Sequence, residues 1–422
     1  MNRIIILLLL GFTLNVHSQE IKTDDWITDI NFLKTELEKK HKNLYFNISE
    51  SEFEKGLNSI KNNLDLDSDL QTAIKLNQLI SKLGDSHTTI NISKFVKRNK
   101  DLPIGFSWFD DGIYIFQTTK DNYDLLDKKI VSINNYEIDK IVDSLKTLIT
   151  AENEGIIKAR VPSILNKSKL LSYFKFSNPN DSIFKIKTQD KNENISVHSI
   201  KTAGYNRRNN VSTKINGIRP FYIEGKGKIF KEKYYKDDKI YYVQYNKCMS
   251  KESVLKYGNK EDANRWPSFE EFENKILGTL GKEDVEKLIF DMRFNKGGSS
   301  YLAQNLIKKI AKNEKINKKD NLFVVIGNNT YSSAIWNTID FKKWTNATII
   351  GEETSGKPNH YGYVKSFYLP YSNIKVTFST DYYELWDKDD SSIKPDISVV
   401  RTFEHYKNGI DPIMEFVKNY KK

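Results

Sequence analysis

Residues 322–362 read LFVVIGNNTYSSAIWNTIDFKKWTNATIIGEETSGKPNHYG, and this stretch decides how the rest of the chain is read. The apolar run 322–326 has the length of a buried strand and stops at Gly327-Asn328-Asn329, a turn signal. Ser332 and Ser333 then open an amphipathic segment in which Ile335, Ile339 and Trp344 share a face, as in a helix. A second apolar run, 347–350, enters the loop GEETSGK, which ends at Lys357. Strand, helix and strand in succession make a β-α-β unit with a serine at the helix start. The ordinary work of a serine there is to cap the helix. The same position sits beside free backbone N–H groups, which stabilise an anion forming on or near the hydroxyl.

Working outward, a strand is expected at 239–245, a helix at 269–280, a strand at 288–291 and a helix at 301–310, so the last part is an α/β layered core. Upstream, residues 26–83 carry helical periodicity and read as a small bundle of about three helices. They end at Gly84-Asp85-Ser86-His87-Thr88. Residues 104–108 and 112–117 read as strands around Asp110-Asp111-Gly112, followed by KIVSIN and a helix at 138–148. Residues 152–176 are expected to be helical, 182–201 to form a hairpin, and the polar stretch 201–236 to be a linker or mobile loop. The expected divisions are 1–18, 19–95, 96–203, 204–238 and 239–422.

The 422 residues are 38% hydrophobic and 12% aromatic, enough for a sizeable core. The formal charge of +11 comes from lysines scattered among acids. There is no basic block interleaved with aromatics, so no nucleic-acid partner is expected. Arg3 before an apolar run at 4–12, with a small residue at Ser18, is the layout of a secretory signal peptide cleaved near Ser18. That layout points to an exported protein, periplasmic or secreted, and no stretch is long enough for a stable membrane span. Cys248 is the single cysteine, which excludes an intramolecular disulfide and CxxC metal sites. No metal and no nucleotide cofactor is expected, because no HExxH, Walker or Rossmann pattern occurs.

Three separated stretches carry chemistry. They are D-x-H-T at Asp85–Thr88, D-x-R-x-N-x-G-G at Asp291–Gly298, and T-x-S-x-A at Thr330–Ala334 with G-E-x-T-x-G-K at Gly351–Lys357 behind it. In this order they resemble the tail-specific (C-terminal processing) serine protease family, and most its tricorn-like branch. The middle segment KIVSINNYEI is similar to that family's PDZ-like domain, with Asn135 where glycine is usual. The resemblance implies an α/β, crotonase-like protease core preceded by a helical bundle and a PDZ-like α+β unit. It implies a serine endopeptidase acting on peptide or protein substrates through an acyl-enzyme on Ser332.

Backbone N–H groups of Gly297 and Ser333 would then form the oxyanion hole, with Asp291 and Arg293 bracing the loop. Two candidates stand for the general base. His87, with Ser86 beside it, matches the tricorn-like branch, and Lys357 matches the lysine of another branch. That second branch places a glutamine four residues on, where this chain has Tyr361. His87 is the preferred base. Asp389 and Asp390, ahead of Pro395-Asp396-Ile397, are the candidates for an orienting acid. The rival reading is a catalytically silent peptide- or apolar-ligand-binding protein on the same scaffold. Oligomeric state is not addressed by the sequence.

Overall fold

The computed structural model describes residues 20–96, 101–204 and 208–420. The proposed signal segment lies outside the described residues. Among those described, no helix is long and apolar enough to cross a membrane.

The stretch 322–362 lies at the centre of a six-stranded sheet. In spatial order its strands are Ile397–Ser398, Thr348–Gly351, Leu322–Ile326, Lys287–Asp291, Ile240–Tyr245 and Phe230–Tyr235. The first five run parallel, and Phe230–Tyr235 closes the edge antiparallel to Ile240–Tyr245. Register pairs Val243 with Phe290, Phe290 with Val324, and Val324 with Ile349. A parallel sheet is buried on both faces, which is why its strands are continuous apolar runs. Alternation along the strands divides the core in two. Val243, Phe290, Val324 and Ile349 pack under the helices Phe269–Lys282, Gln304–Ala311 and Ser333–Trp344. Tyr242, Ile289, Phe323 and Ile350 face Pro412–Asn419 and Phe221–Gly225.

The N-terminal helices are Thr23–Lys40, Glu50–Lys61 and Asp69–Ser81. Trp26, Ile30, Leu33 and Leu37 recur at helical spacing and are buried. Ser49 with Glu52, and Ser68 with Gln71, form reciprocal capping boxes that fix where the second and third helices start. The bundle does not close on itself. Its open side is covered by the long hairpin His360–Tyr368 and Lys375–Tyr383, whose Val376 and Phe378 enter the bundle core. Thr89–Ile90 pairs with the second strand of that hairpin, so the segment just after His87 is sewn to the C-terminal part of the chain.

The middle unit is an antiparallel sheet built on Gly105–Phe109, Gly112–Thr119, Lys129–Ile133, Ile183–Gln189 and Ile195–Lys201. Ile138–Leu145, Glu154–Arg160 and Ser168–Tyr173 pack on it. The helical expectation for 152–176 is met in pieces. A short 3-10 turn, Val161–Ser163, carries Pro162, which supplies no N–H for a continuous helix.

The stretch expected as a linker is largely built into the fold. Asn210–Ser212 adds to the middle sheet, Phe221–Gly225 is a short helix with Tyr222 fully buried, and Phe230–Tyr235 is the sheet edge. A few aromatic anchors outweigh the polar composition that suggested a loop.

Candidate active site

Ser332 is the residue between the turn after Leu322–Ile326 and the helix Ser333–Trp344. Its backbone adopts φ 56° and ψ −124°, a left-handed conformation costly for any residue but glycine. Neighbouring bonds hold it there. Thr330 Oγ1 donates to Met292 O at 2.9 Å, Tyr331 N donates to Asn295 O at 3.0 Å, and Ile335 N donates to Ser332 O at 2.8 Å. The Ser332 side chain makes no capping bond, so the ordinary role of a serine at a helix start does not apply. Instead its Oγ lies 3.0 Å from His87 Nε2, within reach for proton transfer.

His87 arrives from the opposite end of the chain, after the third helix of the bundle. Its ring is stacked on Tyr331, with centroids 4.6 Å apart, and near His360, at 5.8 Å. Burial drives its pKa down to about 3. The Asp85 carboxylate opposes that fall, while His360 and Arg160 add to it. The imidazole is therefore neutral at pH 7, as a proton acceptor must be. Burial alone would raise the Asp85 carboxyl. Hydrogen bonds from His41 and Thr88 and the charge on His87 outweigh burial and hold it at about 2.

Ser86 anchors a second set of bonds. Its N and Oγ donate to Glu152 Oε1 at 3.0 and 2.6 Å, and its Oγ lies 2.8 Å from the Tyr331 hydroxyl. Glu152 Oε2 accepts Lys357 N at 2.7 Å. One carboxylate from the middle unit thus joins the His87 loop to the loop after Thr348–Gly351. Asp85, His87 and Glu152 bring potential metal-ligating atoms within 4.8 Å of one another. The oxygens of both carboxylates already accept N–H or O–H groups of this chain.

The loop Asn295–Gly298 lies against Ser332. A Cβ on Gly297, at φ 92°, would stand 2.9 Å from Ser332 Cβ and 3.0 Å from Ser333 N, which is why glycine is needed there. The Gly297 N–H is not free, however. It donates to Asn295 Oδ1 at 2.9 Å, closing a local turn. Gly298 N–H makes no hydrogen bond among the described residues. Ser333, at the first helical position, has an N–H without an intrahelical acceptor. Behind the loop Arg293 spans Asp291, at 2.9 Å, and Asp411, at 3.2 Å, and donates to the Tyr242 hydroxyl at 2.7 Å. That buried network fixes the loop and touches no reacting position.

The geometry sets Lys357, Asp389, Asp390 and Tyr361 apart from the pair Ser332 and His87. Lys357 Nζ pairs with Asp389 at 2.7 Å on the surface and makes no bond to Ser332, so it is not placed as the base. Asp389 is thereby engaged, and Asp390 accepts the Trp386 indole N–H at 3.0 Å, so neither orients His87. Tyr361 packs on Phe46 and His41, with centroids 4.5 and 5.4 Å away, rather than at Ser332. A cleft of about 410 Å³ opens beside these groups, lined by Phe46, Glu152, Lys357, His360, Tyr382 and Trp386 among others. Sequence reading gave no role to Asp85, Glu152, His41 or Tyr331. Asp85 was visible in D-x-H-T, but the others approach across long stretches of chain with no local signal.

No family model matches the sequence, and no curated protein matches it. Solved structures do. Mature CPAF complexed with lactacystin aligns over 94% of this chain and 98% of that chain, at 12% identity and a TM-score of 0.63. Mature CPAF alone aligns over 94% and 96%, at 13% identity and the same TM-score of 0.63. The photosystem II D1 C-terminal processing protease also aligns, over 94% and 97% at 11% identity, but its TM-score of 0.37 leaves the fold assignment to CPAF. At such identities the likeness speaks for fold and not for reaction. In fold, the chain is similar to mature CPAF over nearly the whole length of both, a mixed α/β structure.

Proposed function

We propose that the chain is an exported serine endopeptidase that cleaves peptide bonds through an acyl-enzyme on Ser332, with His87 as general base. The observation that carries this reading is the 3.0 Å contact between Ser332 Oγ and Nε2 of a neutral, buried histidine, at a strained helix start. Ser332 Oγ attacks the scissile carbonyl carbon while His87 Nε2 takes its proton. The C–N bond then breaks, and His87 returns the proton to the leaving amine. Water, activated by the same imidazole, releases the acyl group and regenerates the hydroxyl. The oxyanion donors are Ser333 N–H and an amide of the Gly297-Gly298 turn. Gly298 takes that part because Gly297 N–H is engaged. One such donor contributes about 2.7–4 kcal/mol to the transition state.

The division of the chain into a helical bundle, a PDZ-like middle unit and a crotonase-like core belongs to the same reading. In it the middle unit engages an extended substrate chain by strand addition. The test is labelling by a fluorophosphonate, with turnover of a peptide mixture across pH. Ser332→Ala and His87→Ala lose both labelling and turnover, whereas Lys357→Ala keeps them. With His87 neutral to about pH 3, the acid limb of kcat/KM lies well below the usual histidine range. Activity lost in Lys357→Ala and kept in His87→Ala would move the base to the lysine. A wild-type chain that neither labels nor cleaves would favour a binding protein on this scaffold.

A further inference from the structure

Two histidines face one carboxylate in this molecule, and only one of them touches the serine. His41 caps the C-terminal end of Thr23–Lys40, and its side chain is fully buried. His41 Nδ1 accepts the Asn43 N–H at 3.1 Å. The ring proton is therefore on Nε2, which donates to Asp85 Oδ2 at 3.1 Å. A hydrogen on Nδ1 would set two donors against each other, so the ring is held with Nδ1 accepting and Nε2 donating. Thr88 Oγ1 donates to the same carboxylate oxygen at 2.5 Å. The other oxygen, Oδ1, accepts the His87 backbone N–H at 2.9 Å and faces His87 Nδ1 at 3.8 Å.

His87 Nδ1 is buried and has no hydrogen-bond partner among the described residues. If Nε2 is to take the serine proton, Nδ1 must carry the ring hydrogen. That hydrogen then requires an acceptor as positive charge develops. Two carboxylates are close enough to be considered. Glu152 has both oxygens engaged by Ser86 and by Lys357 N, whereas Asp85 Oδ1 is the nearer to Nδ1. The other groups around the ring are Tyr331, His360 and Arg160, none of them an anion at neutral pH.

We propose that Asp85 is the acid of the catalytic array and that His41 is a positioning residue that fixes Asp85 against His87 Nδ1. The order of the array is Ser332, His87, Asp85, His41. The 3.8 Å gap closes when the imidazole takes the serine proton, since such bonds are long before substrate arrives. The inference rests on the serine-peptidase reading above.

The experiment uses the full chain and four variants, Asp85→Asn, His41→Ala, His41→Gln and Glu152→Gln. It measures fluorophosphonate labelling and kcat and KM against pH. Asp85→Asn should lower kcat by about 10³–10⁴-fold with KM little changed, as when a catalytic histidine loses its acid. His41→Ala should lower kcat less and move the acid limb of kcat/KM to higher pH, because Asp85 loses the donor that keeps it ionised. His41→Gln, which can donate to Asp85, should bring the limb back. An Asp85→Asn chain within about threefold of wild type overturns the proposal. So does a Glu152→Gln chain that is the more damaged of the two, or an acid limb that His41→Ala leaves in place. Should Asp85→Asn fail to fold by circular dichroism, the position of the limb in the two His41 variants decides alone. Turnover that survives in Ser332→Ala would defeat the serine reading itself. Dead Ser332→Ala and His87→Ala chains beside an unaffected Asp85→Asn chain would defeat this inference only.

Discussion

Ser332 carries the sharpest physical statement in the molecule. With φ 56° and ψ −124° its backbone is the mirror image of an extended residue, open to glycine and strained for serine. Such strain costs about 1–3 kcal/mol and is held by the bonds on either side. Replacing the serine with glycine relieves it, against about 0.4–1 kcal/mol of added freedom in the unfolded chain. Ser332→Gly is therefore expected to be more stable than Ser332→Ala, by about 1 kcal/mol. Denaturant midpoints of the two variants check this, and a Ser332→Gly chain less stable than Ser332→Ala would mean that the turn holds no strain. Of the site, Ser332 and His87 were legible in the sequence, because each sits in a short motif whose spacing is local. Asp389 and Asp390 lie near Pro395 in sequence, but the bonds around His87 run from residue 41 to 85 and from 86 to 152. No periodicity reports such contacts.

At the scale of elements, the parallel strands were legible because burial on both faces writes them as apolar runs. The hairpin His360–Tyr368 and Lys375–Tyr383 leaves a weaker mark in the sequence, since half of its surface is polar and its partner is the distant bundle. The linker expectation failed for a related reason. Between residues 204 and 238 the mean composition is that of a loop, and a handful of aromatic side chains does the anchoring. Tyr222 is fully buried, with the Arg293 guanidinium 4.6 Å from its ring centroid. Tyr222→Ala leaves a cavity on the face of the sheet opposite the helix that carries Ser332. By analogy with large aromatic truncations it is expected to lower stability by about 3–5 kcal/mol. In a true linker the same change would stay within about 0.5 kcal/mol. Equilibrium unfolding followed by tryptophan fluorescence separates the two outcomes.

Across the whole molecule, the site exists only where three parts of the chain meet. The bundle end brings His87 and Asp85, the α/β core brings Ser332, and the middle unit brings Glu152. The middle unit meets the core at Phe109 and Tyr114, which pack on Phe403, and again at the start of Glu154–Arg160. There Asn153 Nδ2 donates to Thr354 O at 3.1 Å and to Ser391 O at 2.8 Å. Gly155 follows, and a Cβ on it would stand 2.7 Å from Thr354 O, a backbone atom that cannot swing aside. Gly155→Ala therefore pushes this helix off the core and pulls Glu152 away from Ser86 and Lys357 N. Displacements of about 1 Å at a catalytic array typically cost on the order of 100-fold in rate. Turnover in Gly155→Ala is expected to fall by that order while the far-ultraviolet circular dichroism stays that of the wild type. Gly278→Ala is the control, because a Cβ there meets nothing within 4 Å on a helix that favours alanine. It should leave turnover unchanged and raise stability by about 1 kcal/mol. If Gly155→Ala turns over peptide at the wild-type rate, docking of the middle unit against Thr354 is not what aligns the site. The three parts would then hold Ser332 and His87 together through the bundle and the C-terminal hairpin alone.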